Sequence, residues 1–141
     1  MSNRAIELHD SATERVLNES GKVTILFSPA YVHQSGGKPG IDPGSGWHQK
    51  AALIVEGGEI TGALPEFPMD ISGGLMILDG AKSCNLIPIP FSFNGDFSLH
   101  LTFESGNKIV ITGSSADLAL YGEPEYLEEF PGAGVQNSRG I

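Results

Sequence analysis

The fold is decided by the stretch Phe97-Ser-Leu-His-Leu-Thr-Phe103, which is followed by Glu104-Ser-Gly-Asn-Lys108 and then by Ile109-Val-Ile-Thr112. Large apolar residues occupy every second position of the first segment, so one side of it is apolar and the other is polar. The Ser-Gly-Asn of the second segment supplies residues that adopt the positive φ of a tight connection. Because the alternation resumes in the third segment, the sequence predicts an antiparallel β-hairpin and an all-β protein.

Length and composition indicate a single domain around this hairpin. A chain of 141 residues buries roughly 68–70% of its unfolded surface, so it can build a core without disulfides or a structural metal. The 19 glycines and 9 prolines follow no period and indicate frequent turns between short strands. We predict one all-β domain over residues 1–130 and a flexible C-terminal tail over residues 131–141, which has little to bury.

The segments before the hairpin alternate in the same way. Apolar and polar residues alternate over 22–28, until Pro29 removes a backbone donor and predicts an edge position or a bulge. The segment 31–33 is predicted to continue that strand in a shifted phase. A further strand is predicted over 47–55, after which Gly57-Gly58 is predicted to turn the chain back.

Turn-forming and strand-breaking residues delimit the remaining predicted elements. Asp79-Gly80 is a strong hairpin signal, and the prolines at 88 and 90 predict that the strand over 86–93 lies at a sheet edge. Residues 123–130, with Pro124 at the first position, are predicted to form one helical turn. The spacing is typical of an antiparallel β-sandwich or a partly open barrel of about eight short strands, with at most one short helical turn near the C-terminus.

The residues from Gln34 to Gly46 are predicted to form the longest loop, because five glycines and two prolines fall within these thirteen residues. Loops of this length are uncommon unless they are functional or disordered. One interpretation is a Gly-rich recognition loop with Tyr31 and Trp47 at its base. The other is a poorly ordered crossing between sheets, and Trp47 also begins an apolar row, which favours a role in the core.

Histidines on both sides of this loop suggest a metal site. His33 and His48 flank the loop and Asp42 lies within it, which makes a 2-His-1-carboxylate set compatible with a catalytic divalent metal. His9 is a further candidate ligand. The alternative is structural, because His48 shares a strand face with Lys50 and is predicted to meet solvent, and no His-x-His pair occurs in the sequence. The candidate binding residues are therefore Tyr31, His33, Asp42, Trp47 and His48, and the candidate metal ligands are His9, His33, Asp42 and His48.

Two other motifs have simple structural interpretations. His9-Asp10-Ser11 contains the three residue types of a hydrolytic triad, but such a triad is assembled in space and not by adjacent residues. Asp10 and Ser11 are predicted to bond the backbone of a turn. Cys84 has no neighbouring histidine or basic residue and is predicted to be buried and inert.

Charge restricts the classes of partner. The formal net charge is −9, so the basic surface that a nucleic acid or an anionic membrane requires is not predicted. A basic protein partner is compatible with this charge. The single cysteine, the absence of a signal-peptide pattern and the lack of an apolar run of about 20 residues predict a cytoplasmic location.

Several short segments carry a resemblance. Leu8-His-Asp-Ser11, Ala30-Tyr-Val-His33, Pro39-Gly-Ile-Asp-Pro-Gly44 with Gly46-Trp47, and Tyr121-Gly-Glu-Pro124 resemble a group of small bacterial all-β proteins of unassigned function. The first of these segments is also similar to the opening of some small immunity proteins of toxin systems. The resemblance to the bacterial group covers nearly the whole chain and implies no activity, cofactor or site.

Two main hypotheses about function follow, beside a third possibility, an oligomeric scaffold protein. The first is a non-catalytic binding or protein-interaction module that uses the loop over residues 34–46, with an acidic surface that meets a basic partner. The alternative is a metal-dependent enzyme with a cupin-like barrel that uses His33, Asp42 and His48, although cupins usually carry a His-x-His pair. No cofactor is predicted under the first hypothesis, and a homodimer is compatible with either.

Overall fold

The computed structural model describes residues 2–132. The part of the predicted tail at residues 133–141 lies outside the described residues. The chain forms ten strands: β1 (Asn3–Glu7), β2 (Ala12–Glu19), β3 (Lys22–Ser35), β4 (Gly44–Glu56), β5 (Glu59–Gly62), β6 (Met69–Leu78), β7 (Ala81–Cys84), β8 (Leu86–Ile89), β9 (Ser92–Phe103) and β10 (Lys108–Phe130). A 3-10 turn at Leu8–Asp10 follows β1 and is the only helical element in this described part. The all-β prediction is confirmed.

All ten strands belong to one antiparallel sheet that curls into a partial ring. The ring runs β2-β6-β9-β10-β4-β3, and β3 pairs with β2 to bring its ends together. Only two residue pairs, Ala12 with Asp70 and Thr13 with Met69, join β2 to β6. Of the two architectures that the strand spacing predicted, a sandwich or a partly open barrel, this partial ring corresponds to the second, with more strands than expected and some much longer.

The deciding hairpin forms as predicted. Thr102 pairs with Lys108, and the pairing continues along β9 and β10. The core contains residues of β3, β4 and β6, and Val16 of β2 packs against it. The alternating apolar residues of both hairpin strands are at most 2% exposed and lie in this core: Phe97, Leu99, Leu101, Phe103, Ile109 and Ile111. The period of two in the sequence thus places one complete face of this hairpin inside the ring.

A bulge at Ser28-Pro29 divides β3 into two parts. Phe27 pairs with Ala51 and Ala30 pairs with Gln49, so β3 advances three residues while β4 advances two. Before the bulge, odd-numbered residues such as Phe27 face the core, whereas after it Ala30 and Val32 do so. The predicted shift of phase is confirmed, and it turns Tyr31 and His33 to the outer face of the sheet.

The end of β10 corrects one prediction. Residues 123–130 form no helical turn but continue β10 beside the first residues of β4, where Phe130 pairs with Gly44. Pro124 lies in a bulge, because β10 advances four residues from Tyr121 to Glu125 while β4 advances two from Lys50 to His48. If residues 123–130 formed a helical turn, the backbone groups along this edge of β4 would stay unpaired. The extended conformation pairs them and is therefore favoured.

Three further predictions are compared with the structure here: two are corrected and one agrees in the position of the strand. The loop predicted over Gln34–Gly46 is shorter, because β3 ends at Ser35 and β4 begins at Gly44. Gly57-Gly58 does not reverse the chain, since β5 continues along β10 in the register of β4: Glu56 pairs with Ser115, and Glu59 pairs with Thr112. The strand predicted over 86–93 is divided, because β8 ends at Ile89 and residues 92 and 93 belong to β9. β8 forms one end of the sheet order, as predicted for an edge strand. No helix in residues 2–132 is long and apolar enough to span a bilayer.

Candidate functional site

Beyond their bulges, β3, β4 and β10 form an extension of the sheet whose outer face is organised around two glycines. Gly44 and Gly46 of β4 lie between the polar residues of β3 and the end of β10. A Cβ at Gly46 would lie 2.0 Å from the Tyr31 hydroxyl oxygen, and one at Gly44 would lie 1.9 Å from the carbonyl oxygen of Gln34. The backbone contact requires glycine at position 44, and the missing side chain of Gly46 leaves the space through which Tyr31 reaches across β4.

Tyr31 uses this space to contact β10. Its hydroxyl donates a 2.9 Å hydrogen bond to Glu128, and its backbone N–H donates to the Ser11 hydroxyl at 2.9 Å. The residue as a whole is only 5% exposed. Burial, followed by the hydrogen bond and charge of Glu128, raises the pKa of Tyr31 far above its usual value. Tyr31 is thus a buried residue whose hydroxyl is engaged by Glu128.

His33 has a structural role as well. Its side chain is fully buried, and its ring centroid lies 4.3 Å from that of Phe130. Its Nδ1 accepts a hydrogen bond from the backbone N–H of Gly40, while its Nε2 has no hydrogen-bond partner among the described residues. Burial lowers the pKa of His33. Since Nδ1 acts as an acceptor, the neutral ring carries its proton on Nε2.

The glycine-rich loop, now residues 36–43, is closed down onto this face. The Asp42 carboxylate accepts a hydrogen bond from the Lys38 N–H at 2.7 Å, Ser35 donates to the Pro43 carbonyl at 2.8 Å, and the Asn3 amide donates to Gly37. A Cβ at Gly40 would lie 3.2 Å from the Leu86 side chain. The loop therefore covers the outer face, and Asp42 acts within the loop.

Trp47 and Tyr31 lie on opposite faces, because Trp47 pairs with Val32 while Tyr31 pairs with His48. The Trp47 ring packs edge-on against Tyr126 with 5.3 Å between centroids, and its Nε1 donates to the Ser45 hydroxyl. Trp47 and Tyr31 therefore do not form one surface at the base of the loop.

Two of the predicted residues line cavities: Trp47 borders one of about 100 Å3, and His48 borders a larger one. His48 lines a depression of about 550 Å3 on the outer face, together with Ser28-Pro29 of β3 and Tyr121, Glu123 and Glu125 of β10. The bulges of β3 and β10 flank the same residues of β4 from both sides. The volume of this depression exceeds those of three other depressions on the described residues, which measure about 100, 390 and 300 Å3.

The predicted metal ligands are distributed over different places. Within residues 2–132, the one group of three potential ligands whose donor atoms lie within 4.8 Å of one another is Glu7, His9 and Asp10. In that group, His9 Nε2 lies 3.1 Å from an Asp10 carboxylate oxygen, and His9 Nδ1 contacts the Asn85 amide. His33, Asp42 and His48 do not gather in this way. Cys84, predicted to be buried, is exposed on β7.

Sequence reasoning missed the outer edge of β10. Pairing with β9 ends at Asp117, and Leu118 donates to the Phe91 carbonyl at 3.0 Å. From Ala119 to Leu127, no other strand of the described chain lies on the side away from β4. We call residues 119–127 the acidic edge, because it carries Glu123 and Glu125 and is followed by Glu129.

The side chains of the acidic edge include exposed aromatic and aliphatic groups. Tyr126 is 52% exposed, and Tyr121 and Leu127 are each 42% exposed. No lysine or arginine occurs between residues 119 and 129. The signal was present in the sequence as a run of glutamates interleaved with tyrosine and leucine, but the proline at its start suggested a helical turn.

Comparisons with known proteins add no further constraint on this site. No protein-family model matches the chain, and neither does any curated protein or any solved structure.

Proposed function

We propose that this protein is a non-catalytic interaction module that binds an extended, lysine- and arginine-rich segment of a partner protein along the acidic edge. The observation that carries the proposal is the combination of two features: no other strand of residues 2–132 pairs with Ala119–Leu127 on the side away from β4, and this stretch and its end carry the carboxylates of Glu123, Glu125 and Glu129. The overall net charge of −9 supports the same choice of partner.

Strand addition explains how such an edge binds. The unpaired backbone N–H and C=O groups of an edge strand accept an extended peptide through main-chain hydrogen bonds, which provide affinity, while side chains provide specificity. The exposed rings of Tyr121 and Tyr126 offer apolar contact area on either side of the Gly122–Pro124 bulge. An edge with carboxylates and exposed rings therefore favours a basic segment with interleaved apolar residues.

The charges also discriminate between partners. Complementary charge accelerates association and suppresses wrong partners, whereas like charges directly opposite each other destabilise a strand pair. Two copies of this chain that met through their acidic edges would bring their glutamates together. We therefore propose a basic partner for this edge, and a homodimer through another surface stays a prediction.

The proposal gives the glycine-rich loop a supporting role. Residues 36–43 cover His33, and Phe130 packs against the same ring, so the loop stabilises the part of the sheet on which the acidic edge lies. The alternative, a metal-dependent enzyme using His33, Asp42 and His48, has less geometric support. The Nδ1 of His33 and the carboxylate of Asp42 are already engaged by the backbone N–H groups of Gly40 and Lys38.

The experiment compares two sets of charge-removing substitutions. The site variant carries Glu123→Gln, Glu125→Gln and Glu129→Gln, and the matched control carries Glu19→Gln, Glu66→Gln and Glu104→Gln at exposed positions elsewhere. Binding of a fluorescent peptide of alternating lysine and valine is followed by anisotropy. We expect the site variant to bind about tenfold more weakly, since each peripheral charge pair contributes about 0.5 kcal/mol. Equal weakening by both sets would reduce the interaction to overall charge and refute the proposed site.

A backbone substitution tests strand addition separately. Leu127 is the extra residue of a second bulge, between Tyr126 and Glu128, and has no pairing partner on β4. Leu127→Pro removes one N–H from the edge, whereas Leu127→Ala removes only the side chain. We expect the proline variant to bind the peptide several-fold more weakly than the alanine variant, with thermal unfolding of each variant confirming that both are folded.

A further inference from the structure

The depression beside the acidic edge is produced by the two bulges that flank β4. Ser28-Pro29 interrupts the pairing of β3, and Gly122–Pro124 interrupts the pairing of β10, both next to residues 48–50 of β4. Because bulges bend their strands and break the ladder locally, the outer face of β4 is left uncovered between them. The resulting volume of about 550 Å3 is large enough for a complete side chain of a partner.

The lining of this depression is rich in hydrogen-bond acceptors. Glu123 and Glu125 contribute carboxylates, and Gln49 donates its amide N–H to the Gly122 carbonyl at 3.0 Å, which leaves its own carbonyl oxygen as an acceptor. The Tyr121 ring forms part of the same wall. The one lysine in the lining is Lys50, which pairs with Tyr121 across the ladder and is exposed.

We propose that this depression is an anchor site for the guanidinium group of one arginine in the basic segment, a refinement that rests on the proposed function. A guanidinium presents five N–H donors in a planar fork that matches two carboxylates, and its face stacks on an aromatic ring such as Tyr121. A lysine ammonium carries the same charge but lacks both the fork and the planar face. The partner segment should therefore require arginine at one position and tolerate lysine elsewhere.

The position of the depression suits a strand added to the acidic edge. A strand paired with β10 would lie about 4.8 Å from it, and its alternate side chains would point to the outer face. The wall formed by Tyr121, Glu123 and Glu125 is β10 itself, so a long side chain from the added strand reaches the depression by crossing one strand.

Lys50 provides a test of opposite sign. Its positive charge opposes a guanidinium in the depression, so Lys50→Gln should tighten binding of an arginine peptide by about two- to fivefold, while Glu123→Gln with Glu125→Gln weakens it. A site for an anionic or purely apolar side chain would give no tightening.

The experiment uses a lysine-valine peptide with one central arginine, together with versions in which citrulline or lysine replaces the arginine. Citrulline has nearly the shape of arginine without its charge. For the native chain we expect a roughly tenfold loss of affinity on either replacement. In the variant with Glu123→Gln and Glu125→Gln, the same replacements should change affinity less than about twofold.

Each outcome separates the anchor from the proposed function. If the three peptides bind the native chain equally, strand addition stands and the arginine anchor is overturned. If no basic peptide binds, the proposed function fails, and the anchor is then decided by titrating N-acetyl-arginine amide while following the ring NMR signals of Tyr121 and His48. Shifts of those signals that disappear in the double glutamine variant support the anchor, and their absence overturns it.

Discussion

The two parts of β3 on either side of Ser28-Pro29 differ in which faces are buried and in the residue types that are buried there. In the first part, Val23, Ile25 and Phe27 are fully buried and their neighbours face outward. In the second part, the four consecutive residues Ala30, Tyr31, Val32 and His33 are all buried, although two of them are polar. The first part is covered on one face only, whereas the second is covered on both.

The difference shows what it takes to cover a polar sheet face. Each polar group of the second part needs a specific partner: Tyr31 donates to Glu128, and His33 accepts from Gly40. Tyr31 reaches Glu128 across β4 because Gly46 carries no side chain where the tyrosine hydroxyl lies. Apolar packing in the first part tolerates exchange of similar residues, whereas the second part depends on individual atoms.

The largest expected effect is a loss of stability on substitution of an apolar residue in the first part of β3. Phe27→Ala removes a fully buried aromatic side chain from the core. We expect the free energy of unfolding to fall by about 3–5 kcal/mol. The matched control is Leu26→Ala, one residue away on the outer face, which should cost less than about 1.5 kcal/mol. Urea denaturation measures both, and equal costs would show that the first part is also buried on both faces.

A smaller effect tests the glycine requirement of the second part. In Gly44→Ala the added Cβ would lie 1.9 Å from the Gln34 carbonyl oxygen, a backbone atom that cannot rotate away. We expect a loss of about 1–3 kcal/mol in the free energy of unfolding. Gly36→Ala is the control, because nothing lies within 4 Å of its added Cβ. A Gly44→Ala variant as stable as the control would mean that β3 and β4 can separate there without cost.

The smallest effect concerns the pH dependence of the second part. Because burial lowers the pKa of His33, the unfolded chain binds a proton at this residue more readily than the folded chain does. The stabilising contribution is therefore complete above the ordinary histidine pKa of about 6.5 and is lost as pH falls below it toward the lower folded value. The loss proceeds at up to about 1.4 kcal/mol per pH unit.

His33→Gln isolates this contribution. Glutamine can still accept the Gly40 N–H through its side-chain oxygen but does not titrate. We expect the native chain to lose more stability than the variant between pH 7.5 and pH 5 in urea denaturation. Parallel pH profiles for the two proteins would show that His33 does not titrate differently on folding.

Part of the candidate site followed from residue types, and part did not. The sequence placed His48 in a candidate site, and it lies in the depression beside the acidic edge. It also singled out Tyr31, His33 and Asp42, but each of these side chains is used to hold the loop or β10 in place. A side chain that can bind a ligand can equally bind the backbone, and local sequence does not distinguish the two.

The sequence by itself determined the all-β architecture, the deciding hairpin and the edge position of β8. Those features arise from the period of two and from residues such as Pro88 that restrict their own backbone. Only the tertiary structure decided that residues 123–130 are a strand, that β5 continues β4, and that the outer face of β3 is covered. An extended segment without a continuous apolar row is stabilised by backbone hydrogen bonds to a neighbouring strand. Because contacts between residues distant in sequence position that neighbour, the local sequence does not predict it.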